Sequence, residues 1–235
     1  MRASMGTSRL SPVRTLPSRG MWWAAERVSR LGERHDAGWL VYHPLQTLSY
    51  HRAARADAPA MARALRDVLP DARRYVDVGA GGGALAAELV RHGLDVALCE
   101  HGLAGRLLAR RTGMRCGRLD LTRDPPARLA GTFDVACCLE VAEHVDERLG
   151  DVLACYLAAL AKTIVFSAAH PGQGGRGHVN EQPQAYWIER FERCGADHRP
   201  DLSRRLAEAF RGHRVEAPWY ADNVMAFECS RHARP

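Results

Sequence analysis

The stretch "YVDVGAGGGALAAEL", Tyr75 to Leu89, passes from a β-type run through a glycine cluster into a helical pattern. Glycines at such a junction let a ligand approach bare backbone and supply positive φ without a steric penalty. Two spacings coexist there. Gly79, Gly81 and Ala84 fit G-x-G-x-x-G/A, the arrangement that cradles the pyrophosphate of a dinucleotide, and Glu100 lies about where such sites keep a ribose-binding acid. Gly79, Gly81 and Gly83 also alternate behind Asp77. A dinucleotide site usually has an apolar residue at that strand position, whereas a carboxylate can receive the ammonium of a cofactor that carries an amino acid.

Two further acids close the next β-type runs. Glu100 ends "LDVALCE", where its carboxylate could accept both hydroxyls of a ribose. Asp120 ends "MRCGRLDL"; it could accept from an adenine amino group while the Leu121 N–H reaches a ring nitrogen. Either acid alone reads equally well as a solvated strand end. Acids at the ends of three successive strands describe a crevice for an adenosine-bearing cofactor.

Such a crevice needs strands and helices in alternation. From Arg74 onward "RYVDVG", "LDVALCE", "MRCGRLDL", "FDVACCLE" and "KTIVFSAA" alternate with helical patterns, which predicts a mostly parallel sheet covered on both faces. "ALAAELVRHG" ends in a capping Gly93, and a helical face runs from Val145 through Leu149, Val152 and Leu153 to Leu160. "PQAYWIERFERCG" reads as a later helix between Pro183 and Gly195, and "NVMAFECS" as a final strand. Upstream, Met61, Leu65, Val68 and Leu69 recur at helical spacing, so two or more helices should precede the first strand and could lid the site. The chain divides into a disordered basic leader (1–20), an N-terminal helical cap (21–72) and an α/β domain (73–235).

Composition narrows the function classes. At 235 residues the chain holds one generous domain but not two. No apolar run approaches the ~20 residues that span a bilayer, and the leader lacks the apolar core of a secretory signal, so a cytoplasmic protein without a membrane partner is expected. The seven cysteines form no C-x-x-C pair, which disfavours zinc and disulfide frameworks and predicts mostly buried thiols. The net charge of +6 is not a property of the domain: residues 1–74 hold 13 arginines against 6 acids, and the remainder is close to neutral. Nucleic-acid binding is therefore not the first reading.

Taken in order, Asp77-x-Gly79-x-Gly81-x-Gly83, Glu100, Asp120-Leu121 and "FDVACCLEVAEHV" resemble the successive motifs of class I S-adenosylmethionine-dependent methyltransferases, over roughly Arg74 to Ser167. The resemblance implies S-adenosyl-L-methionine as cofactor and a Rossmann-like, seven-stranded sheet with helices on both faces and a reversed last hairpin. It places Leu139 and Glu140 beside the methionine portion. The Arg-rich helical segment after Gly195 departs from the pattern and leaves room for only a short sixth strand.

Methyl transfer from a sulfonium needs in-line placement more than acid or base chemistry. Where the acceptor holds its proton tightly a base is required, and His144, His170 and His178 each follow a strand end on the crevice side. "EVAEHV" also resembles the run in ubiquinone-pathway O-methyltransferases and small-RNA 2′-O-methyltransferases where acids and a histidine hold a divalent cation such as magnesium. That likeness makes Glu140, Glu143, His144 and His178 candidate ligands; a helix start rich in acids is the alternative. "HPGQGGRGHVN" reads as a gating loop carrying Arg176 and His178 inward, and Tyr186, Trp187, Trp22, Trp23 and Trp39 as an aromatic wall or as core. The expected activity is O-methylation of a small metabolite or of a sugar in a natural product or glycan. Metal-dependent 2′-O-methylation of RNA, a non-catalytic partner subunit and a nicotinamide oxidoreductase are the alternatives.

Overall fold

The computed structural model describes Arg27 together with residues 44–121 and 129–230. The expected leader, and with it Trp22, Trp23 and Trp39 of the cap, lies outside the described residues. The order is α1 (Pro44–Val68), β1 (Arg74–Val78), α2 (Ala84–Arg91), β2 (Asp95–Glu100), α3 (Leu103–Arg110), β3 (Cys116–Arg118), β4 (Phe133–Leu139), α4 (Gly150–Leu160), β5 (Ala161–Ser167), α5 (Gln184–Arg193), β6 (Ala196–His198), α6 (Pro200–Gly212), α7 (Pro218–Asn223) and β7 (Met225–Cys229). Two short 3-10 turns, Ala142–His144 and Glu147–Leu149, join β4 to α4.

The seven strands form one sheet in the order β3-β2-β1-β4-β5-β7-β6. β1 to β5 run parallel, and β7 is antiparallel to both β5 and β6. Tyr75 registers with Val96 on one side and Val135 on the other, so the strand order reverses at β1. Ligands of open α/β sheets bind beyond the carboxyl ends of strands at such a switch point. The last four residues of β1 are all buried, as a strand covered on both faces requires.

One face carries α4 and α5, whose Leu153, Leu157, Trp187 and Phe191 pack with Phe166. The other carries α1, α2 and α6 through Leu65, Leu89, Leu206 and Phe210. Each such side chain contributes about 1.5–3 kcal/mol by leaving water. α2 stops where expected: Gly93 takes φ 79°, and the Gly93 and Leu94 N–H groups close on Val90 and Leu89. β6 is three residues long, in keeping with the short sixth strand.

Two expectations need correction. The helical face starting at Val145 is too long: α4 begins at Gly150 after the 3-10 turns, and Val152 faces solvent. Disulfides are not absent either, because Cys155 and Cys194 are bonded, with Cα atoms 5.0 Å apart where α4 meets the end of α5. Their separation of 39 residues hides the pairing in sequence. Cys137, Cys138 and Cys229 are buried thiols, as read. Among the described residues no helix is long and apolar enough to cross a membrane.

The denatured chain should titrate five thiols before reduction and seven after it. Cys155→Ser should lower unfolding free energy by about 2–4 kcal/mol in urea titrations under non-reducing conditions. An unchanged midpoint would mean that the bridge is not formed.

Candidate active site

The glycine loop after β1 holds Gly79, Gly81 and Gly83 at φ 76°, 52° and 72°. A side chain at Gly79 would meet the Val141 methyls at 2.6 Å, so only glycine lets the loop lie against the chain leaving β4. Glu100 spans the crevice floor: one carboxylate oxygen accepts from Gly81 N–H at 2.8 Å and the other from Gly102 N–H at 2.5 Å. Each oxygen keeps a lone pair for a ribose hydroxyl. Asp77 is 7% exposed under this loop. Burial first, and then the Glu100 charge, push its carboxyl up to about 7, eased by the Ala86 N–H. Asp120 and Leu121 follow β3, whose continuation Leu119 donates to the Glu100 carbonyl at 3.1 Å.

The second half of the crevice is built at the end of β4. Leu139 ends the strand, and Glu140 takes φ 53°, uncommon for a residue with a side chain. Its N–H is held by the Ser167 carbonyl and hydroxyl. Its carboxylate accepts from Asn223 at 3.2 Å and from Gln173 at 3.4 Å. Among the described residues Glu143, His144 and His178 bring their ligand atoms within 4.8 Å of one another. Glu140 is not one of these three, although its carboxyl neighbours that of Glu143.

Glu143 is 1% exposed; its carboxyl lies by that of Glu140 and the Glu143 and Ala169 N–H groups, but none of these makes a well-formed hydrogen bond to it among the described residues. Burial, with a further contribution from Glu140, pushes its carboxyl up to about 9. Burial lowers His144 to about 4, although its Nδ1 contacts the Gly177 carbonyl at 3.0 Å. His178 lies edge-on to His144, its Nε2 4.0 Å from Glu143 and its Nδ1 2.8 Å from Glu181. His170 is exposed and turned to the Pro171 carbonyl, outside the cluster.

The segment 170–182 is held in place by its surroundings. Val179 and Asn180 N–H groups donate to the Glu143 carbonyl, and the Tyr50 hydroxyl of α1 donates to the Arg176 carbonyl at 3.2 Å. His51 sits so close on Gly82 that a Cβ there would overlap the ring. Asp57 in α1 accepts from Glu216 and Ala217 N–H, which fixes the approach to α7. Burial and the surrounding Glu140, Asp57, Asp77 and Glu143 raise the Tyr220 phenol pKa. Tyr50, His51, Gln173, Glu181, Tyr220 and Asn223 carry no motif and went unnoticed in sequence. Trp187 is core, packed on Phe166, and Tyr186 stacks under the Arg190 guanidinium, so this pair is not a crevice wall.

A family model described as a methyltransferase domain matches residues 50–211. The chain belongs to that family. Fold and family together make it a class I S-adenosylmethionine-dependent methyltransferase. It is 37% identical over 95 residues, 38% of the chain, to a ubiquinone biosynthesis O-methyltransferase of Vibrio parahaemolyticus. The match spans 40% of that relative's length, and a 28% identical match over 144 residues, 59% of the chain, spans 57% of the Pseudomonas aeruginosa protein so named. In fold it is similar to the amino pentose methyltransferase CalS10 of Micromonospora echinaspora (TM-score 0.57, 16% identity, 77% of this chain and 95% of that one). It is also similar to the sugar N-methyltransferase KedS8 of Streptoalloteichus (TM-score 0.55, 15% identity, 97% and 99%).

Were Asp77 to receive the ammonium of the cofactor, it would have to be ionised, and cofactor affinity would depend on pH. Asp77 is neutral below its pKa of about 7, so binding there must displace a proton. Calorimetry should find S-adenosylmethionine bound roughly tenfold more weakly at pH 6 than at pH 7.5, with the difference abolished in Asp77→Asn. Equal affinity at both pH values would remove Asp77 from the ammonium site.

Proposed function

We propose that this methyltransferase moves the methyl group of S-adenosylmethionine to a hydroxyl oxygen of a small metabolite or of a sugar unit, by direct displacement. The reading rests on the cluster of Glu143, His144 and His178 beyond β4, beside the glycine loop. A hydroxyl is a poor nucleophile until its proton has somewhere to go. His144, lowered to about 4, is too weak a base at neutral pH. That leaves His178, whose Nδ1 faces the Glu181 carboxylate and whose Nε2 faces the cluster. Asp77, Glu100, Asp120 and Leu121 would take the ammonium, ribose and adenine of the cofactor, and Gly79, Gly81, Gly83, Leu139 and Glu140 would border it. The name of the Vibrio parahaemolyticus relative supports oxygen as acceptor atom.

One observation favours a metal-assisted form of the same reaction. A buried carboxyl with no well-formed hydrogen bond among the described residues, beside two imidazoles, is a donor set suited to a divalent cation. Glu143, His144 and His178 would hold the ion, with Glu140 next to Glu143 and held by Asn223 and Gln173. When bound, it would lower the pKa of an adjacent acceptor hydroxyl.

Labelled methyl supplied as S-adenosylmethionine to a source-cell extract, with and without chelator, tests both forms. Label in low-mass material is expected; loss of that label on chelation selects the metal-assisted form. Label confined to RNA would overturn the small-molecule reading. With the acceptor identified, His178→Ala should lower kcat by about 10²-fold or more.

A further inference from the structure

Glu181 has no place in any motif, yet three donors converge on its carboxylate. One oxygen accepts from His178 Nδ1 at 2.8 Å and from Gly174 N–H at 2.8 Å; the other accepts from Gly172 N–H at 2.9 Å. The glycine donors fix where the carboxylate sits, and the carboxylate fixes the ring. An acceptor at Nδ1 selects the tautomer with the proton on Nδ1 and the lone pair on Nε2, the nitrogen 4.0 Å from Glu143. A second constraint acts from the opposite side of the ring. A Cβ at Gly175 would overlap the His178 ring nitrogen Nε2 and neighbouring ring atoms, so glycine is required for His178 to occupy this position. The φ of Gly175 is not in the left-handed region, so an alanine there meets the ring and not a backbone restriction.

We propose that Glu181 is a positioning residue which, with the gap at Gly175, orients His178 and presents its Nε2 lone pair to the acceptor site. This rests on the role given to His178 above, but its physical content is separable from that role. A carboxylate that orients a working imidazole typically carries a 10–100-fold share of activity or metal affinity.

The test uses the full chain with histidine ring nitrogens labelled with 15N, the His178 signals being assigned by their loss in His178→Gln. Wild type should show a protonated Nδ1 and a bare Nε2. In Glu181→Gln the amide oxygen can still accept from a glycine N–H, but its NH2 group opposes the ring donor. His178 should then redistribute toward the other tautomer, and kcat should fall about 10–100-fold with the KM for S-adenosylmethionine unchanged. Gly175→Ala, which leaves the carboxylate untouched, should lower kcat likewise. A wild-type Nδ1 without a proton overturns the proposal, as does a Glu181→Gln variant with unaltered ring signals and kcat. If the ring signals respond as expected while His178→Ala keeps full activity, the positioning stands and the function given to His178 fails.

Discussion

The contact between Gly79 and Val141 sets the rest of the site. Because no side chain stands at Gly79, the Val141 methyls occupy that space, and the glycine loop after β1 lies directly against the chain leaving β4. The two strands are sheet neighbours, so the contact joins the cofactor half of the crevice to the acceptor half without an intervening layer. Glu140 takes positive φ one residue earlier, and the 3-10 turn that follows carries Glu143 and His144. A larger residue at Gly79 would separate the halves, and a methyl transfer that depends on in-line placement tolerates little displacement.

Polar satisfaction organises the remainder. Glu100 spends its oxygens on Gly81 and Gly102 N–H groups, Asp57 ties α1 to the approach to α7, and Glu181 braces the segment 170–182. Glu143 is the contrast: it is buried as deeply as the core leucines, and among the described residues its carboxyl oxygens make no well-formed hydrogen bond. Burying a carboxyl in that state costs free energy that packing elsewhere must offset, a pattern found where a ligand or proton completes the site.

The sheet was legible because parallel strands buried on both faces read as unbroken apolar runs, and their ends were marked by Asp77, Glu100 and Asp120. Glu143 and His144 were legible through the motif after β4 and His178 through the Gly-rich loop after β5, and the structure does bring them together. His170 was not distinguishable from them in sequence, since proximity to a strand end says nothing about which way an exposed loop turns a ring. The Cys155–Cys194 bridge and the clasp of Gln173 and Asn223 on Glu140 join positions 33 to 83 residues apart. Such pairings follow from how helices and loops stack on the sheet, which no local pattern encodes. Glu181 escaped for a different reason: a single acid in a polar loop is unremarkable until its donors are seen.

The most direct test of the account is a crystal structure of the chain with S-adenosylhomocysteine. The account predicts the ribose on Glu100, the amino group toward Asp77, and the sulfur opening toward Glu143 and His178. A ligand bound with its sulfur turned away from that cluster, or bound outside the glycine loop, would contradict it.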